Sequence, residues 1–159
     1  MSNKLFLVCP FSCLEIFIRQ THGDDIFFIT AMATAFQSEE HEYLEEVKAL
    51  LEQESITKII IVNDTSCRFI KSVLKNENKL DSTAEKVLQE IFYDNYSDII
   101  QHKSIYEQQE KLAILNIKYQ AKEMLKSILF QRNHSKKMKL IGLVTTKASN
   151  RIKEININM

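Results

Sequence analysis

Four consecutive β-branched apolar residues, Ile59, Ile60, Ile61 and Val62, constrain this chain more than any other feature. A strand that alternates apolar with polar residues can leave one face in water. A strand without alternation must be covered on both faces, which is the situation of an inner strand in a parallel sheet flanked by helices. The run breaks abruptly into Asn63, Asp64, Thr65 and Ser66, whose side-chain oxygens bond nearby backbone amides and so favour turns and helix caps. Phe69, Ile70, Val73 and Leu74 then recur at helical spacing. Asp64 and Cys67 are thereby placed at the carboxyl end of a buried strand, where open α/β sheets hold their ligands.

The remaining segments supply the partners of that strand. Lys4 to Cys9 reads as a first buried strand, stopped by Pro10, which cannot donate to a sheet ladder. Ser12 is placed to cap a short helix through Leu14 to Ile18, Thr21 to Asp24 is a turn, and Asp25 to Thr30 is a second strand. Ala31 to Phe36 is small and apolar, with no assignable conformation. Tyr43, Leu44, Val47, Leu50 and Leu51 mark an amphipathic crossover helix over Glu39 to Glu54. Asp81 to Glu85 opens a helix in capping-box style that runs to about Tyr93. Ser97 to Gln108 is weakly patterned. Glu110 to Gln131 is the longest helical run, its apolar stripe including Leu112, Leu115, Tyr119, Met124, Ile128 and Leu129, with Asn133 and His134 ending it. Met138 to Thr145 is a last inner strand, and Ile152 to Ile157 alternates like an edge strand. This order predicts a single α/β domain over residues 1–159: about four parallel strands plus an edge strand, flanked by helices, with right-handed crossovers.

Composition removes several function classes. The 159 residues carry 21 Lys+Arg against 21 Asp+Glu, so no global field attracts nucleic acid or an anionic membrane, and neither is expected as a partner. Five apolar residues before Pro10 are too few for a signal-peptide core or a membrane span. With 3 cysteines and no export signal, free thiols in a reducing cytoplasm are expected. Only 2 glycines leave no room for a P-loop or a dinucleotide fingerprint.

Two strand ends thus face each other, one finishing in Cys9 and the other leading through Asp64 to Cys67. This arrangement resembles the β-class carbonic anhydrases, in which a first strand ends in Cys-x-Asp-x-Arg and a later one, after a run of isoleucines and valines, in Gly-His-x-x-Cys. The likeness extends through Gly23-Asp-Asp-Ile-Phe-Phe-Ile29 and Lys58-Ile-Ile-Ile-Val62. It continues in Asn116-Ile-Lys-Tyr-Gln120, similar to the family's helical Asn-Val-x-x-Gln, and in the closing strands Lys139 to Val144 and Arg151 to Ile155. It spans Lys4 to roughly Ile155 and rests on order and spacing.

The resemblance implies zinc ligands at Cys9, Asp64 and Cys67, with aspartate where the family has histidine. It places the family's substrate-orienting Asp and Arg on Phe11 and Cys13, so neither charge is retained. Arg-Asn-Ala-Gly becomes Thr30-Ala-Met-Ala33, and Arg68 and Phe69 replace small residues. The first strand starts almost at Met1, so the N-terminal helical arm that embraces a partner is expected to be missing, although a homodimer is still expected.

Two thiolates and a carboxylate are acceptable zinc ligands, but together they leave the site at about −1, which raises the pKa of bound water above the ~7 useful for hydration. The expectation is a degenerate carbonic-anhydrase-like pseudoenzyme, zinc absent, with a binding or regulatory role. Two alternatives stay open: a zinc-dependent carbonate dehydratase using Cys9, Asp64 and Cys67, and a thiol sensor in which a helix N-terminus lowers the Cys67 pKa. Cys9 and Cys67 can also be plain core residues and Asp64 a turn residue. Cys13 is open as a further ligand or disulfide partner. Arg68 either pairs with Asp64 or is exposed. His22, His41, His102 and His134 are expected at the surface.

Overall fold

A computed structural model describes residues 3–77, 82–130 and 138–157. Strands β1 (Asn3–Val8), β2 (Ile26–Thr30), β3 (Ile56–Asp64), β4 (Lys139–Thr146) and β5 (Arg151–Ile155) form one sheet in the order β2-β1-β3-β4-β5. All neighbours are parallel except β4 and β5, which are antiparallel. This is the expected sheet, four parallel strands and an edge strand.

Side-chain alternation divides the interior in two. Ile59 and Ile61 of β3 join Leu5, Leu7 and Cys9 in the larger core. Ile60 and Val62 join Phe6, Val8 and Leu143 in a smaller one. Helix α1 (Glu15–His22) covers the smaller core with Phe17 and Ile18. The larger core is covered by α2 (His41–Gln53), α3 (Arg68–Leu74), α4 (Thr83–Asp94), α5 (Tyr96–Ile100) and α6 (Ile105–Lys126). Both faces of β3 are therefore buried, as four unbroken β-branched residues require.

Gly142 sets how close α6 comes to the sheet. A Cβ there would lie 2.5 Å from Ile117 Cγ2 and 3.2 Å from Ile155 Cβ. Only a residue with no side chain lets the helix seat Ile117 against β4.

Several elements differ from the sequence expectation. Helix α6 begins at Ile105, five residues before the predicted start. Ser104 and Glu107 form a full capping box there. The exposed Ile105 and Tyr106 had blurred the apolar stripe at this end. The helix also stops at Lys126, so Leu129 reaches the core from a turn rather than from a helical stripe. Ser12 caps nothing: it sits in a 3-10 turn over Pro10–Ser12, and α1 starts after Leu14 without a side-chain cap. Ser82 caps α4 by accepting from the Glu85 amide at 3.2 Å. Asp81, Gln131, Asn133 and His134 lie outside the described residues. Among the described residues no helix is long and apolar enough to cross a membrane.

Candidate functional site

Strands β1 and β3 run side by side with Leu7 opposite Ile61, so Cys9 emerges at the carboxyl end of the sheet beside Asn63. The turn after β3 brings Cys67 back, its amide bonded to the Asp64 carbonyl at 3.0 Å. Cys9 and Cys67 are each 1 % exposed, belong to the same core and are free thiols.

The two sulfurs share a hydrogen bond in which the Cys67 thiol donates to Cys9. That bond lowers Cys9 from 9.0 to about 6 against the opposing effect of burial, helped by the amides of Phe11, Ala33 and Thr34. Cys67 moves the other way. Its bond to Cys9, burial and the neighbouring negative charge push it well above 9.0, although the Ile70 and Phe69 amides oppose this. The expectation of an acidic Cys67 is thus corrected. It does precede helix α3, but its proton is held by the partner sulfur, and the acidic thiol is Cys9.

The segment Ala31 to Phe36, unassigned from sequence, builds the other wall. It forms a 3-10 turn over Met32–Thr34 in which Ala33 (φ 54°) and Thr34 (φ 55°) are both left-handed. Such a conformation costs a non-glycine residue about 1–2 kcal/mol, and a β-branched residue takes it rarely. The Thr34 N–H closes the turn on the Ala31 carbonyl at 2.9 Å, which leaves the Ala33 N–H on the Cys9 side.

A buried polar network fixes this turn. The Asn116 amide donates to the Ala33 carbonyl at 2.9 Å and to Asn63 Oδ1 at 2.7 Å. Gln120 donates to Asn116 Oδ1 at 3.2 Å and accepts from the Phe36 amide at 2.9 Å. Thr34 Oγ1 donates to the Val62 carbonyl at 3.0 Å. Asn116 and Gln120 lie one turn apart on α6, so both reach the same loop.

Asp64 is placed differently. As the last residue of β3 it has the parity of Ile60 and Val62, which face the smaller core, whereas Cys9 has the parity of Leu5 and Leu7. Its Oδ1 accepts from Thr145 Oγ1 at 2.7 Å and from the Lys147 amide at 3.0 Å. Its Oδ2 accepts from the Ser66 amide at 2.9 Å and from the Ser66 hydroxyl.

Of the three ligand positions implied by the resemblance, the fold brings Cys9 and Cys67 together and commits the Asp64 carboxylate to four protein donors. Among the described residues no three of His, Cys, Asp and Glu are grouped to hold a metal ion. With the Asp64 carboxylate already occupied by donors, the two sulfurs fall short of the three protein ligands that a catalytic zinc site needs, and the set does not fit zinc as arranged.

The positions of the missing charge pair are occupied by other contacts. Phe11 is 49 % exposed and packs edge-on against Phe69 at 5.7 Å. The Arg68 guanidinium lies over the Phe11 ring at 5.4 Å, so its partner is an aromatic face and not Asp64. Cys13 is exposed, with left-handed φ 50°, its sulfur 4.0 Å from the Pro10 carbonyl. His41 is exposed beside Glu45 at 4.0 Å. His22 is half-buried against Phe6 at 5.1 Å, and burial followed by Lys4 lowers its pKa, so it is not simply solvated.

Ala33, Thr34 and Thr145 were given no role from the sequence and Asn63 only that of a turn residue, and nothing in their types announces the strained turn or the carboxylate clamp. No protein-family model and no curated protein matches this chain.

Solved structures do match it. The chain is similar to a tetrameric β-carbonic anhydrase of the filamentous ascomycete Sordaria macrospora, at TM-score 0.80 and 15 % identity over 98 % of this chain and 81 % of that one. It is similar to the β-carbonic anhydrase CafA of Aspergillus fumigatus, at TM-score 0.80 and 17 % identity over 99 % and 77 %. It is also similar to CafD of the same fungus, at TM-score 0.79 and 18 % identity over 98 % and 90 %. The five-stranded, mostly parallel sheet and the helices on its faces are thus those of one architecture: this chain is a divergent bearer of the β-carbonic anhydrase fold.

Proposed function

We propose that this protein is a carbonic-anhydrase-like binding or regulatory protein that does not hydrate carbon dioxide. The observation that carries this reading is the saturation of Asp64: its two oxygens accept from Ser66, Thr145 and Lys147, so no lone pair is left directed at the sulfurs. Hydration on zinc needs three protein ligands, an open position and a bound water near neutral pKa. With Phe11 and Cys13 in place of the family's charges, a proton-handling pair is missing as well. A set of two thiolates and a carboxylate would hold hydroxide poorly even if the carboxylate turned inward.

The Sordaria macrospora structure is described as tetrameric, which supports self-association of this chain as a homodimer or a larger assembly. Its working compartment is proposed to be the reducing cytoplasm, where Cys9, Cys13 and Cys67 persist as thiols.

Metal analysis of protein purified without chelator, together with stopped-flow carbon dioxide hydration, tests this reading. The expected outcome is well under one zinc per chain and a rate equal to the buffer blank. One zinc per chain with hydration within about a hundredfold of a typical zinc lyase would overturn it.

A further inference from the structure

Resting on the reading of this chain as a binding protein, we infer that the cavity beside the 31–36 turn is a site for a small organic amine, its apolar body on the floor and its protonated nitrogen at the rim. The cavity, about 690 Å³, lies at the carboxyl ends of β1 and β2, where Pro10 and Thr30 border it. That volume and that position suit a small-molecule site in an open α/β sheet.

Burial separates the floor from the rim. Ala31, Phe36 and Gln120 lie at the bottom, being 8 %, 6 % and 2 % exposed. The Gln120 side chain is already engaged, accepting from the Phe36 amide at 2.9 Å and donating to Asn116 Oδ1 at 3.2 Å. The floor therefore accommodates hydrocarbon and offers it no unmet hydrogen bond.

The rim selects charge. Glu39, Glu40 and Glu123 line the cavity, and no described lining residue is basic. Lys126 does reach Glu123 at 3.0 Å, an exposed pair of small worth that a bound cation can replace. The first turn of α4 also borders the cavity through Thr83 and Ala84, and there the Ser82 cap and Glu85 offset the positive end of the helix. Tyr119 stands one turn before Glu123 on α6 with its ring partly exposed. An aromatic face among carboxylates is the chemistry that holds an ammonium group. Burial, followed by Glu123, Glu90 and Glu39, raises the pKa of the Tyr119 hydroxyl, so the field of these carboxylates falls on the same ring. Among the described residues no three carboxylates are grouped to hold a metal ion, which leaves a cation carried on hydrocarbon as the better match.

The test is a titration of the full chain with phenylbutylamine, phenylbutanol and phenylbutyrate, which share one apolar body and differ in the charge of the head, followed by amide chemical shifts. Expected is one amine per chain with Kd of about 0.1 mM. The alcohol should bind at least about tenfold more weakly and the carboxylate not at all. Shifts should move at residues 36–40 and 119–123. Glu123→Gln and Tyr119→Leu should each weaken the amine about three- to tenfold. Glu154→Gln, which removes one negative charge from the exposed strand at the far edge of the sheet, should leave it unchanged. Circular dichroism establishes that each variant is folded, and the head-group series on the unmodified chain decides the matter even if a variant is not.

Equal binding of the three heads overturns the proposal, since it means apolar partition alone. So does an effect of Glu154→Gln as large as that of Glu123→Gln, shifts elsewhere in the chain, or no saturable binding. Failure of the amine with zinc and hydration still absent sinks the amine site and leaves the non-catalytic reading standing; one zinc per chain with hydration activity overturns that reading instead.

Discussion

The carboxyl end of the sheet has two sides that treat negative charge in opposite ways. On one, the Asp64 carboxylate is built into the structure, clamped by Thr145 and Lys147 from the β4 end and by Ser66 from its own turn. On the other, two sulfurs sit in a dry core with amide N–H groups turned toward them, in contact with each other rather than with a fixed cation. A single residue step along β3 separates the two, because Asn63 faces the sulfur side through Asn116 and Asp64 faces away. Strand parity decides which groups can act together, even where spacing in the sequence suggests a common site.

The sharpest way to break this comparison is Asp64→Ala. If the carboxylate is structural, its removal leaves the Thr145 hydroxyl and the Ser66 and Lys147 amides without their acceptor. A loss of about 3–5 kcal/mol in urea denaturation is expected. A loss under about 1 kcal/mol would mean that the carboxylate is not clamped and is free to serve a ligand.

The counterpart on the sulfur side is Asn116→Ala, which unpairs the Ala33 carbonyl, Asn63 Oδ1 and Gln120 Nε2 together. About 2–3 kcal/mol should be lost. Ala33 and Thr34 should relax from their left-handed conformations, visible as amide chemical-shift changes confined to residues 31–36. If stability falls while those shifts stay unchanged, the network fills space but does not hold the turn.

Gly142→Ala sharpens the same comparison through packing. The added methyl would meet Ile117 at 2.5 Å, pushing α6, and with it Asn116, away from the sheet. Overpacking of this kind costs about 1–3 kcal/mol. Thermal denaturation should register it, and the shifts of residues 31–36 should move in the same sense as in Asn116→Ala. An unchanged melting temperature would show that the helix has slack over β4.

The fold was legible because its determinants are local and periodic. Ile59 to Val62 demands cover on both faces, Pro10 ends a strand, and Leu44, Val47 and Leu51 mark a crossover helix. The start of α6 was missed because the exposed Ile105 and Tyr106 hide a capping box that was present in Ser104 and Glu107. At the site, the pairing of Cys9 with Cys67 was legible through resemblance, and so was the position of Asn116 and Gln120. The direction of Asp64 was not. That depends on whether the strand ends before or after residue 64, and the pairing of Asp64 with Thr145 extends β3 through it. The strained turn was illegible for a different reason: Ala33 and Thr34 adopt left-handed angles that their residue types disfavour, under restraint from a helix more than eighty positions away.

The smallest effect is the pH dependence that the sulfur pair lends to stability, and its sign follows from proton counting. In the folded chain the hydrogen bond from Cys67 and the amides lower Cys9 from 9.0 to about 6. Between about pH 6 and 9 the unfolded chain therefore holds more protons than the folded one, and stability contributed by Cys9 rises with pH. Above 9.0 the order reverses, because Cys67 keeps its proton in the folded chain while an unfolded thiol loses it, so stability falls again. The difference in unfolding free energy between the reduced native chain and Cys9→Ala, followed in urea from pH 5.5 to 10, should climb and then turn over near 9. Asp64→Ala should leave that curve in place while lowering its base, since its carboxylate belongs to the other side. A flat difference curve would separate the two sulfurs, and with them the contrast between a charge fixed by the fold and one shared within it.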